Sequence, residues 1–170
     1  MLTKGDESMN DIQKINAIRN ATISEVNAIL AKANRKIENI SGIKDSFPIE
    51  NKFSICIEPA FFKGTKPSAV CFGKERIEVK KWNEVYTLVL EKCVADKLNY
   101  YKLLSLRNKI LGRERILVSD SPKRLKRPFK LGEDLFVEIK YASDTLMHIL
   151  INRILDELDF DYSDIFVELK

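Results

Sequence analysis

The chain has 170 residues, a formal net charge of +4, 45% hydrophobic residues and 32% charged ones. That composition suffices for one well-packed domain plus an appendage and excludes wholesale disorder. No run approaches the roughly 18 apolar residues a bilayer span needs. The first residues lack the apolar stretch of a signal peptide. Cys56, Cys71 and Cys93 are odd in number and widely spaced, so reduced thiols in a cytoplasmic protein are expected.

The modest net charge hides a segregation. Residues 1–59 hold 8 basic and 8 acidic side chains, residues 60–131 hold 18 and 7, and residues 132–170 hold 3 and 10. A chain of this kind either binds a polyanion with its middle or pairs its two unlike ends.

Residues 8–41 contain neither Gly nor Pro and read as one long helix, with Gly42 at its natural stop. Ile12, Asn16, Ile23, Val26, Leu30 and Ile37 recur at heptad spacing, and Arg19 interrupts the same stripe. That pattern predicts an oligomerisation arm over residues 1–42, with Asn16 specifying register. Ile15, Ile18 and Ile29 widen the stripe, which equally suits a helix packed along its own domain. Residues 43–52 read as a linker and residues 53–170 as an α+β domain.

Within that domain Phe53–Glu58 alternates as a strand, and Ser68–Phe72 and Glu75–Val79 form a hairpin across Gly73 and Lys74. Helical periodicity runs from Trp82 to Val94, breaks near Asp96, and resumes towards Gly112. Arg115–Val118 and Leu135–Tyr141 read as strands, Ser143 as the N-cap of a last helix, and Ile165–Leu169 as a final strand. The predicted fold is α+β: a long N-terminal helix, then a mainly antiparallel sheet with two or three packed helices.

Three chemistries can be weighed on the residues. Asp120 followed by Glu138 and Lys140 on one strand face matches a metal-dependent nuclease, in which the acids hold Mg²⁺ and the lysine orients water. The same Glu-x-Lys spacing recurs at Glu78/Lys80 and Glu168/Lys170, so alternation alone generates it. The acidic run Asp159–Asp164 fails as a calcium loop, because Asp164 stands where Gly is needed and Lys170 where Glu is needed. The single histidine, His148, has no nucleophile at a readable spacing and reads as structural or solvated. No cofactor loop or metal motif is present, so no cofactor, no metal site and no catalytic residue is assigned.

Polyanion binding remains. Lys123, Arg124, Lys126, Arg127 and Lys130 lie between and just after Pro122 and Pro128, which disfavour a recognition helix and favour an extended connection. With Lys80, Lys81, Arg113 and Arg115 they form a candidate face for nucleic-acid phosphates, and Phe129, Tyr100 and Tyr101 are candidate base-stacking groups.

The runs Val79–Val85, Arg127–Gly132 and Leu135–Glu138, with Ala142 and Ser143 opening a helix, resemble a poorly characterised bacterial C-terminal module found in proteins linked to mobile elements and defence loci. The resemblance covers about residues 63–170. It implies an attached binding domain with no assigned catalytic residues, and a strand that keeps no lysine two positions after the glutamate. The sequence is therefore read as a non-enzymatic nucleic-acid-binding protein that self-associates through its first helix, with no membrane contact. The alternatives are the Mg²⁺-dependent nuclease and a protein–protein adaptor in which the basic and acidic segments pair.

Overall fold

A computed structural model describes residues 4–41, 51–112 and 115–170, and within the first helix the side chains of residues 11 and 13–33. The predicted linker lies almost wholly outside the described residues. The first helix, α1, runs Lys4–Ser41, about 57 Å at 1.5 Å per residue. Its middle docks on the domain through small and amide side chains that repeat every seven residues. Ser24 is buried, and Ala17, Asn20, Ala21, Asn27, Ala28 and Ala31 are half-buried around it. The Ser24 hydroxyl oxygen accepts the Ser54 backbone N–H at 2.7 Å, and the Asn20 side-chain amide donates to the Ser163 carbonyl at 2.9 Å.

The described branched apolar residues of the stripe lie away from that face, Val26 ~160°, Leu30 ~120° and Ile23 ~100° round the helix from Ser24. Ile15 stands ~180° round the helix from Ser24 at 100° per residue. Ile15, Ile18, Ile23, Val26, Ile29 and Leu30 are between 37% and 67% exposed. The helix thus packs on its own domain, but with its small-residue face rather than its apolar one.

The domain is built on two antiparallel sheets. The first has the order β1-β7-β2-β3, formed by β1 (Lys52–Ser54), β2 (Pro67–Phe72), β3 (Glu75–Glu78) and β7 (Ile165–Leu169). The predicted hairpin is present, and Gly73 at φ +58° supplies its left-handed residue. The predicted strand at Phe53–Glu58 shortens to Lys52–Ser54 and gives way to a 3₁₀ turn at Pro59–Phe62. The second sheet has the order β4-β6-β5, from β4 (Val118–Ser119), β5 (Pro128–Gly132) and β6 (Leu135–Glu138). Here the basic stretch departs from a plain extended connection. Pro122–Arg124 forms a 3₁₀ turn, and Pro128 opens the edge strand β5, a place where a missing N–H costs nothing.

Helix α2 (Trp82–Val94) packs on both β2 and β5 and joins the sheets into one core. Asp96, where the helical pattern breaks, caps α3 (Lys97–Ser105) by accepting the Leu98 and Asn99 N–H groups. Helix α4 (Ser143–Ile149) continues through a π-helical stretch at Leu150–Leu155 into α5 (Asp156–Leu158). Its N-cap is Ala142, not Ser143. The Ser143 hydroxyl instead donates to the Phe62 carbonyl at 2.8 Å and ties the helix to the 3₁₀ turn. Phe62 in turn packs on Trp82, ring centroids 4.9 Å apart.

Replacing Ser24 with Ala leaves the Ser54 N–H buried without an acceptor. Urea unfolding should show a loss of about 1–3 kcal/mol. A variant within a few tenths of a kcal/mol of wild type would contradict this docking of α1.

Candidate functional site

Strand β6 ends at Glu138, three residues short of the predicted Tyr141, and the cause is its own side chain. Glu138 is buried, and its carboxylate accepts three backbone N–H groups: Lys126 at 2.5 Å, Arg127 at 2.9 Å and Lys140 at 3.0 Å. Once the carboxylate has captured the N–H two residues ahead, the chain turns out of the ladder. Ile139 N–H still reaches the Arg127 carbonyl at 3.1 Å, and Glu138 N–H reaches the Leu117 carbonyl at 3.0 Å. All three captured amides belong to basic residues. One buried acid therefore holds three cationic side chains at the end of one strand.

Lys126, Lys140 and Glu138 itself border a cleft of about 1070 Å³. The turn Glu58–Ala60 forms one wall, and Gly112, Arg115 and Leu117 form another. Lys126, Glu138, Lys140 and Tyr141 lie between them, and the last helix presents Asp144, Thr145, His148, Asn152 and Arg153. A smaller hollow of about 410 Å³ adjoins it, sharing Lys140 and Tyr141 and adding Arg127, Trp82 and Asn83. The π-helical stretch matters to this lining. Its i→i+5 register, seen in the Asp156 N–H donating to the Ile151 carbonyl, keeps Arg153 on the side of His148, five residues before it.

Five cations therefore line the joined hollows: Arg115, Lys126, Arg127, Lys140 and Arg153. The acids there are Glu58, Asp144 and Glu138, and the last is occupied by amides. Asp144 Oδ1 is buried with no donor among the described residues. Burial raises the Tyr141 phenol above its ordinary range, with Glu138 adding to the rise and Arg115 opposing it. Beneath the cleft the Tyr86 phenol is buried, also without a partner among the described residues, and that burial holds it far above its usual range.

Of the residues expected to contact nucleic acid, Arg115 and Lys126 line the cleft and Arg127 the adjoining hollow. Lys80 and Lys81 do not. Their backbone N–H groups bind the Glu84 carboxylate at the start of α2, and their side chains are exposed outside the lining. Lys123 and Arg124 sit on the 3₁₀ turn, Arg124 lying 3.9 Å from Asp120, and Lys130 is exposed on β5. Arg113 lies outside the described residues. Lys140 joins the cleft from the nuclease set, and Arg153 is new. Tyr100 and Phe129 pack on the core, while Tyr101 is exposed. Tyr141 is the aromatic ring shared by both hollows.

The nuclease set divides. Asp120 lies outside the cleft lining, and its carboxyl is held below the usual range by the Asn108 side chain first, with Arg124 helping. The other two Glu-x-Lys triplets belong to the first sheet, where Glu168 pairs with Arg76 at 2.8 Å and Glu78 approaches the same guanidinium at 3.5 Å. That Arg76–Glu168 pair joins the basic middle of the chain to its acidic end. Among the described residues no group of three or more His, Cys, Asp or Glu side chains is gathered as a metal site. Nor is any described helix long and apolar enough to cross a membrane. Of the oligomerisation set, Asn16, Ile23, Val26 and Leu30 are exposed on α1. The side chains of Ile12 and Ile37 lie outside the described ones.

Compared with protein families, curated proteins and solved structures, the chain finds no match.

Glu138→Gln keeps the shape but presents an NH₂ to at least one backbone N–H. Denaturant unfolding should show a loss of about 3 kcal/mol, in the range for hydrogen bonds to a charged group. A variant as stable as wild type would remove Glu138 from the centre of this arrangement.

Proposed function

We propose that this chain is a binding protein for a phosphodiester backbone, seated along the joined hollows between β6 and the last helix. The observation that carries the reading is the convergence of Arg115, Lys126, Arg127, Lys140 and Arg153 from four separate stretches of chain on one concave surface. Cations so arranged neutralise successive phosphates and release counterions, which drives binding without reading base sequence. Two hollows joined at Lys140 and Tyr141 suit an extended ligand better than a single phosphate. Tyr141 offers a ring against which a base can stack. Asp144 Oδ1, short of a donor, offers an acceptor for a sugar hydroxyl or base amine.

Binding is favoured over cleavage because the Glu138 carboxylate is committed to three amides and Asp120 stands apart from the lining. An adaptor role draws on the Arg76–Glu168 pair, but that pair sits on the outer face of the other sheet and leaves the cationic cleft unused.

Fluorescence anisotropy with labelled single-stranded and duplex oligonucleotides tests the reading. Engagement of all five cations gives a log–log salt slope of about −3.5 to −4.5. The double variant Lys140→Glu, Arg153→Glu should bind at least ~10-fold more weakly, and neutral replacement of one of these cations should flatten the slope by about 1. Absence of binding at low salt, or a double variant that binds like wild type, would overturn it.

A further inference from the structure

The helix α1 carries two faces with opposite fates. Its Ala, Ser and Asn stripe is occupied by the chain's own domain, centred on Ser24. Its branched apolar stripe, from Ile15 to Leu30, is uncovered. A partner for that stripe must itself repeat every seven residues over several turns, because only then does each side chain find a matching hole. Helices α2 and α3 are short, and the buried side chains of α2 lie in the core. Among the described residues there is one long heptad helix, and it is α1.

We infer that the apolar face of α1 is covered by α1 of a second copy of this chain, running antiparallel. The self-complementarity of the sequence carries the choice. About a twofold axis level with Ser24 and Glu25, Ile23 meets Val26 of the other copy, Arg19 meets Leu30, and Asn16 meets Ala33. Each a position of the heptad then faces a d position of the other copy throughout the described helix. A parallel pair would instead set Arg19 against Arg19 and bring like charges together. In the antiparallel pair each polar interruption lies beside an apolar or small residue, along which the Arg19 stem can lie while its guanidinium reaches water. The geometry of docking permits it as well. The seam of Ile23, Val26 and Leu30 is centred ~130° round the helix from Ser24, beyond the docked face, so a second helix can lie along the described length of α1 without meeting the domain of its own copy. The interface is isologous and closes at two chains.

Sedimentation equilibrium of the full chain at micromolar concentrations should give twice the mass of one chain. Ile23→Glu, Val26→Glu puts four carboxylates around the twofold axis. It should weaken the dimer roughly 100-fold or more, while the folded circular dichroism spectrum of the chain is retained, since both side chains are exposed. Orientation is read by cysteine cross-linking. Asn16→Cys, Ala33→Cys should form a disulfide dimer on mild oxidation, and Asn16→Cys alone should not. A monomeric wild-type chain, a double Glu variant as dimeric as wild type, or cross-linking through Asn16→Cys alone would each overturn the proposal.

Discussion

The second half of this molecule turns on one buried carboxylate. Burying a charge is costly unless it is fully hydrogen-bonded, and Glu138 meets that condition with three main-chain N–H groups rather than with a basic side chain. Because no counter-ion is spent on it, the side chains of Lys126, Arg127 and Lys140 stay available. Had the acid been satisfied by a lysine or arginine side chain, the same residues would have cancelled one another. Using amides instead, the fold fixes the backbone of a basic loop against the end of β6 and turns the cations outward. The strand ends there, the loop closes there and the cleft begins there.

The rest of the chain positions that knot. Helix α2 bridges the two sheets, and the Phe62–Trp82 contact and the Ser143 hydroxyl bring the 3₁₀ turn against the last helix to close the far wall. The π-helical stretch keeps Arg153 in line with His148. A π-register exists at a cost in backbone hydrogen-bond geometry, and such stretches recur at functional sites. On the opposite flank the first sheet is knitted by β7, which lies between β1 and β2, and by the Arg76–Glu168 pair on its outer face.

Element type and order were legible in the sequence because period and punctuation agreed: alternation at Ile165–Leu169, Gly73 in its hairpin, Asp96 between two helices. Strand ends were less legible. Leu135–Tyr141 alternates well past Glu138, and only the side chain's capture of Lys140 N–H shows why pairing stops. The basic stretch was visible as charge, yet its neighbours were not. Arg153 looks like a lone cation in an acidic segment, and nothing in the spacing announces a π-register. One hint was present: residues 121–132 contain no acid, so a buried carboxylate gathering that loop had to come from elsewhere, and Glu138 is on the next strand. In α1 the apolar heptad drew attention from the quieter repeat. Ala17, Ser24 and Ala31, with Asn20 and Asn27, recur every seven residues too, and small residues permit the close approach that the docked face shows.

Amide hydrogen exchange, followed residue by residue by NMR, reads whether Glu138 holds the basic loop. The N–H groups of Lys126, Arg127 and Lys140 have no main-chain acceptor among the described residues, so their protection depends on the Glu138 carboxylate. They should exchange as slowly as ladder amides of β6, and replacing Glu138 with Gln should speed at least the one that then faces the NH₂ while leaving the strand itself protected. Exchange of these three amides at exposed-loop rates in the wild-type chain would mean that Glu138 does not hold them.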